Sequence, residues 1–384
     1  MALLEDLTAK RIEMNNAIDN YKQAVLDFHA GTATPADVDA AKAAAVTKGD
    51  EYAKLTSQVK QDDPAVTNDD QLFSRPSVMN ALARQDVATI MTTGKMFGQG
   101  MKLLVDTEGT TVGATNAILS FAEGSDITID WGDSSGYQSY TGAASHDYAT
   151  PGQYTVEVHG TVNGFTGPLT ESRQQLKDVM QWGLVEFASA TAMFTSRAGF
   201  VISASDSPTF LPGATCIGMF SNATDFNSNI DHWDVSNVVN MEKMFFNATA
   251  FNQPLNSWDM SNATNIAFMF YIATAFNQPL NAWNVANVAT MERTFRNAIN
   301  FNQPLNSWNT ANVTDMTGMF YDAAAFNRPL NLWNVANVTT MLGMFYRAYA
   351  FNQDLSGWNV GNVTNYGSFN NNGIIDSNNL PNFV

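Results

Sequence analysis

The sequence predicts a multidomain chain: an N-terminal α-helical hairpin, a central β-sandwich and a C-terminal α/β repeat solenoid. Three observations predict it. Apolar residues near the N-terminus recur at helical spacing, a middle segment alternates at strand spacing, and from Phe226 the sequence repeats every 25 residues.

The helical stripe comes first. Leu3, Leu7, Met14, Ile18, Tyr21, Val25 and Phe28 fall at spacings of three, four and seven, which lines one face of a helix. The pattern stops between His29 and Pro35, where Gly31 suits a C-cap, Thr34 an N-cap and Pro35 the first helical position. A second helix, rich in Ala and Lys, is expected from about Ala36 to Gln61, which closes an antiparallel hairpin. A hairpin cannot bury such a stripe alone, so it is expected to self-associate or to dock on a partner. Residues 1–75 are assigned to this attachment and oligomerisation module, and 76–110 to a connector broken by Pro76, Gly94, Gly98 and Gly100.

Residues 111–165 read as an antiparallel sandwich. Strand-length runs stand at Ala117–Phe121, Asp126–Trp131 and Gln153–His159, with turns at Gly132–Ser134 and Thr150–Gly152. Asp130, Trp131, Gly132 and Asp133, followed by His146, Tyr148, Gly152, Tyr154 and Val156, carry a further mark. That combination resembles the PKD-type immunoglobulin-like domain, and the resemblance implies a spacer or binding module. Asp130 and Asp133 read as turn-stabilising carboxylates, since two acids are too few for calcium's six to eight oxygens.

Residues 166–384 are assigned to the solenoid. Phe226, Phe251, Phe276, Phe301, Phe326 and Phe351 hold one position, and Trp233, Trp258, Trp283, Trp308, Trp333 and Trp358 a second. Phe245, Phe270, Phe295, Phe320 and Phe345 hold a third. A period that does not drift indicates coils that bury their apolar side only against neighbours. The spacing of Met316, Met319 and Phe320 fits one inward-facing helical turn, so each coil is expected to hold one short strand and one turn of helix. Asn237, Asn262, Asn287, Asn312, Asn337 and Asn362 are expected to form a buried amide ladder that satisfies inward-pointing backbone groups. The Asn-x-Thr triplets at Asn222, Asn247, Asn262, Asn312, Asn337 and Asn362 fall at repeat positions that already call for Asn and Thr, and are read as structural rather than as glycosylation sites.

The segments 251–258, 276–283 and 301–308, together with 313–320 and 338–345, resemble the BspA-like leucine-rich-repeat family of bacterial surface proteins and lipoproteins. Degenerate entry coils are read at Gln181–Gly183, Ala192–Phe194 and Gly218–Phe220. The resemblance implies adhesion or surface recognition, and gives the solenoid a leucine-rich-repeat-type fold.

Composition narrows the function. The chain has 36 acids against 19 bases, a net charge of −17, whereas nucleic acid or an anionic membrane calls for a basic face. The single cysteine, Cys216, rules out a disulfide framework. No apolar run reaches membrane-spanning length, and the acidic start at Met1–Leu7 lacks the features of a signal peptide. His29, His146, His159 and His232 are scattered and lack a matching nucleophile or ligand spacing. No cofactor and no metal is expected. The expectation is a non-enzymatic virion structural protein of a bacteriophage, a capsid decoration or fibre on the outer surface of the particle. Its helices would dock on capsid, neck or tail proteins, and its solenoid would meet a host-surface glycan or protein. A bacterial cell-surface adhesin is the alternative, and a polysaccharide-degrading spike the second. The residues that vary after the Met-Phe pair, namely Phe246, Tyr271, Arg296, Tyr321 and Tyr346, form the candidate recognition strip.

Overall fold

The computed structural model describes residues 100–383 apart from 109–112, 165–174, 184 and 371–374, and isolated positions between 13 and 47. Two compact units divide the chain, Met1–Gly100 and Met101–Val384. In the first unit Thr34 and Asp37 exchange capping hydrogen bonds: the Thr34 N–H and hydroxyl donate to Asp37 Oδ2 at 2.8 and 2.7 Å. The stripe residues Leu3, Leu7, Met14, Ile18, Tyr21, Val25 and Phe28 lie outside the described residues.

The second unit is β-structure and ordered turns. Its strands are β1 (Met101–Asp106), β2 (Asn116–Leu119), β3 (Asp126–Asp130), β4 (Tyr137–Tyr140), β5 (Ala144–Asp147) and β6 (Gln153–Val162). They continue with β7 (Leu176–Gln181), β8 (Glu186–Ser189), β9 (Val201–Ile202), β10 (Thr209–Thr215) and β11 (Val238–Asn240). One nine-stranded sheet runs β11-β10-β8-β6-β1-β7-β9, with β3 joined to β6 and β4 to β3, and a hairpin of β2 and β5 stands apart from it. Alternation in β1, where Met101, Leu103 and Val105 are buried, makes this strand a spine of the sheet between β6 and β7. The connector expected at 76–110 therefore ends in a core strand from Met101 onward.

The sheet strands of residues 101–162, expected as a sandwich, and the repeats are not separated. β6 pairs in parallel with β8, β8 with β10 and β10 with β11, so the sheet carries directly into the first coils. From there the parallel ladder thins to single bridges, Asn240 to Asn265 and on through Thr290, Asp315 and Thr340 to Asn365.

The expected fold class is corrected by the structure. Among the described residues no α-helix with defined bounds occurs, helical backbone is confined to isolated positions such as Ala36, Asp37 and Ala40, and the one bounded helical element is a 3-10 turn at Ser377–Asn379. The N-terminal helical hairpin does not figure in the fold as described, and the solenoid is not α/β. The reason lies in the backbone of each coil. In the coil at 291–298, the N–H groups of Met291, Arg293, Phe295 and Asn297 donate to Asp315, Thr317, Met319 and Tyr321 of the next coil. The intervening amides of Thr294, Arg296 and Ala298 donate three residues back, to Met291, Arg293 and Phe295. Overlapping turns of this kind need left-handed residues, and Arg293 (φ 51°) and Asn297 (φ 57°) supply them. A right-handed helix would point every N–H along its own axis. Here every second peptide bonds to a neighbouring coil.

Inside, the expected columns are present. The rings of Phe220, Phe245, Phe270, Phe295, Phe320 and Phe345 stack at 5.5–5.7 Å. Those of Phe226 through Phe351 stack at 5.7–6.0 Å. Trp258 to Trp358 form a third column at 6.2–6.4 Å, each indole N–H donating to a carbonyl of the preceding coil. Trp233 at the entry instead meets Trp182 edge-on at 5.2 Å. Phe194 stacks on Phe220 at 5.5 Å, so the first ring column begins in the degenerate coils. The C-terminal tail closes the other end: Leu355 N–H donates to the Asn379 carbonyl, and Phe383 stacks on Tyr366.

The asparagine ladder is real but not buried. Asn262, Asn287, Asn312, Asn337 and Asn362 are exposed, and each donates its amide to a backbone carbonyl of the preceding coil at 2.6–2.7 Å. A second ladder runs through Asn227, Asn252, Asn277, Asn302 and Asn327, whose side-chain oxygens accept the backbone N–H one coil on.

Two consequences can be measured. Ile272 is a β-branched residue held at φ 58°, where equivalent coils carry Asn222, Asn247 and Asn297. Ile272→Asn is expected to raise the thermal midpoint, relieving about 1 kcal/mol of left-handed strain. Phe295→Ala removes a fully buried ring from the column, and denaturant titration should show a loss of about 3–5 kcal/mol.

Candidate recognition face

The candidate strip residues follow the Met-Phe pair, so each sits one residue outside the inner ring column. The structure brings all five together in one line. Phe246 and Tyr271 stack at 4.7 Å with an interplanar angle of 2°, and Tyr321 and Tyr346 stack at 4.5 Å. Arg296 bridges the two pairs, its guanidinium 5.7 Å from the Tyr271 ring centre and 3.9 Å from that of Tyr321. All five are half-buried. They pack on one another along the stack and still reach solvent at their edges. A guanidinium against an aromatic face contributes about 0.5–2 kcal/mol, more as it is desolvated.

A second line runs beside the first and was not singled out in the sequence. Lys243 and Arg293 lie over the two sides of the Phe268 ring column position, at 5.2 and 5.3 Å from its centre. Lys243 pairs with Glu242 and Arg293 with Glu292. Burial raises the Glu292 carboxyl, partly offset by the Arg293 guanidinium. In the next two coils this line holds Gly318 and Gly343, both left-handed at φ 57° and 61°. A Cβ on Gly343 would stand 3.5 Å from the Tyr321 ring, so the absent side chains leave that ring's flank open. The signal that would have found this line is the same as for the first: it too varies from coil to coil between invariant columns.

Charge on this face is arranged in pairs, with one exception. Arg347 meets Asp322 at 3.1 Å and donates to the Tyr349 hydroxyl at 3.0 Å. Arg296 has no carboxylate partner among the described residues, and its Nε is buried without a hydrogen-bond acceptor.

The other residues weighed in the sequence stand elsewhere. Asp130 and Asp133 each accept a backbone N–H two residues on, from Gly132 and Ser135, in the turn after β3. Gly132 is obligatory there, because at φ 79° any Cβ would lie 2.3 Å from the Thr155 carbonyl oxygen. His146 bonds Asp133 Oδ2 at 2.7 Å and stacks on Trp131 at 5.2 Å. His159 lies 3.2 Å from Glu157, and the His232 ring bonds the Asp206 carbonyl oxygen. Asp206 also binds the Trp182 and Gly183 amides, fixing the entry coil. Cys216 is fully buried, and burial drives its thiol pKa well above the ordinary range. Among the described residues no group of three or more His, Cys, Asp or Glu gathers to hold a metal ion, and no helix is long and apolar enough to cross a membrane.

Residues 214–298 and 280–383 match the family described as Mycoplasma protein of unknown function, DUF285. Both matched stretches fall on the repeats, so it is the repeat portion that is similar to this family. No curated protein and no solved structure matches the chain.

The turn after β3 yields a prediction. The Ser135 hydrogen bond chiefly, then His146, holds the Asp133 carboxyl down at about 2 from an ordinary 3.8. Its stabilisation is present above the unfolded value and lost as pH falls through the folded one. Near-UV circular dichroism of the tryptophans should therefore show acid loosening between about pH 4 and about 2, and Asp133→Asn should flatten that part of the curve.

Proposed function

We propose that this chain is a non-enzymatic recognition scaffold whose stacked coils display the line from Phe246 to Tyr346 to a host-surface glycan or protein. The observation that supports the reading is the continuity of that line. Five variable side chains from five coils, each free to differ, form one uninterrupted half-exposed ladder over an invariant core. A surface built so rigidly loses little conformational freedom on binding. The repeats' kinship with the BspA-like kind points the same way. Display on a virion, with attachment through the N-terminal segment, remains the favoured setting, and a bacterial cell surface the other.

The test compares three fluorescently labelled proteins for retention on intact bacteria and on purified envelope polysaccharide. The parent chain should be retained. The double variant Tyr271→Ser with Tyr321→Ser should keep its far-UV spectrum and lose at least tenfold in retention. Leu332→Ser, at a position 70% exposed and away from the ladder, should bind like the parent. Equal retention of the ladder variant would remove this face from the account, and release of reducing sugar would show a polysaccharide-degrading spike instead.

A further inference from the structure

Resting on that reading, we infer that the ladder is a site for an acidic saccharide, with Arg296 receiving a carboxylate and the flanking tyrosine hydroxyls receiving neighbouring sugar hydroxyls. The inference begins with what the ladder cannot do. Sugars commonly meet proteins by laying their C–H faces on aromatic rings, but here the inner ring faces are already covered. Phe246 covers Tyr271 at 4.7 Å, Tyr346 covers Tyr321 at 4.5 Å, and the guanidinium of Arg296 fills the space between the pairs. What reaches solvent is the edge of each rung.

Those edges carry one cation and three phenols. The hydroxyls of Tyr271, Tyr321 and Tyr346 make no protein hydrogen bond among the described residues, unlike those of Tyr140, Tyr148 and Tyr154 before the repeats. Arg296 differs from every other cation of this face. Lys243 pairs with Glu242, Arg293 with Glu292 and Arg347 with Asp322, whereas Arg296 has no counter-ion among the described residues and its buried Nε has no acceptor among them. A planar guanidinium clamped between two rings is preorganised, and its free edge matches the two oxygens of a carboxylate. The net charge of −17 does not oppose this, because charges beyond roughly 10 Å are screened at moderate salt.

Spacing favours a saccharide over an acidic peptide. Same-side residues of an extended peptide recur every ~6.6–6.8 Å, out of step with rungs 4.5–4.7 Å apart. A pyranose chain advances by close to one rung per sugar.

The experiment uses the full chain and calorimetric titration with oligogalacturonate, hyaluronan fragments and polysialic acid. Methyl-esterified oligogalacturonate serves as the uncharged control and oligoglutamate as the peptide control. At least one carboxylated glycan is expected to bind, with affinity falling tenfold or more on esterification. The decisive variant is Arg296→Tyr, which keeps the stack continuous and removes the cation. It should retain the parent's thermal midpoint and lose the carboxylated ligand by tenfold or more. Arg296→Lys, a charge without the planar fork, should lose most of that affinity. Binding to none of the three glycans, equal binding of the ester, an unchanged Arg296→Tyr, or tighter binding of oligoglutamate each overturns the assignment. If Arg296→Tyr is unchanged while the tyrosine double variant still loses cell retention, this inference fails and the recognition face stands.

Discussion

Every second peptide in the turn segments of this solenoid is satisfied only by a neighbouring coil. In the turn segments the peptide carbonyls point to the preceding coil and the N–H groups to the following one, as in Met291 to Asp315 and Ile272 to Arg296. A peptide group left unpaired inside such a stack costs on the order of 1–3 kcal/mol, so no coil can be shifted or lengthened alone. The invariant period follows from this bonding. So do the paired left-handed residues of each coil, which rotate alternate peptides into line, and the exposed asparagine ladders, which tie the outer loops where backbone pairing stops.

The same constraint makes both ends of the stack vulnerable, because a terminal coil has unpaired groups on one side. The fold answers differently at each end. At the start, β8, β10 and β11 extend the nine-stranded sheet into the first coils, and Asp206 binds the amides of Trp182 and Gly183. At the finish, Asp376 and Asn379 bond to Asn352 and Leu355, and the Phe383 ring lies against Tyr366 and Phe369. Between these ends the sides of the stack are free to vary, which is where the mixed ladder of rings and one guanidinium stands.

The aromatic columns were legible in the sequence because identical residues at a fixed period leave few other ways to bury them. The path of the backbone between them was not. Met and Phe at spacings of three and four suit one turn of helix and a chain of overlapping turns equally well, and only the left-handed φ of residues such as Lys243 and Asn247 separates the two. Lys243 has an ordinary side chain, so nothing in its identity announces the conformation; Gly318 and Gly343 at its position, and Asn222, Asn247 and Asn297 at the other, were the available hints. β1 was hidden because a short apolar run after glycine-rich sequence reads as connector until its partners β6 and β7 are known. The candidate strip was found because its residues vary while their neighbours do not. Its second line, Lys243, Phe268 and Arg293, obeys that rule too, and the absence of a carboxylate partner for Arg296 among the described residues could be seen only in three dimensions.

Amide hydrogen exchange tests the interlocked stack most directly. The account predicts that the amides of Met291, Arg293, Phe295 and Asn297 are protected by factors comparable to global unfolding, and that they exchange together with those of the adjoining coils. Fast exchange at these four positions, with protection confined to Thr294, Arg296 and Ala298, would mean that each coil holds itself by its own turns, and would contradict it.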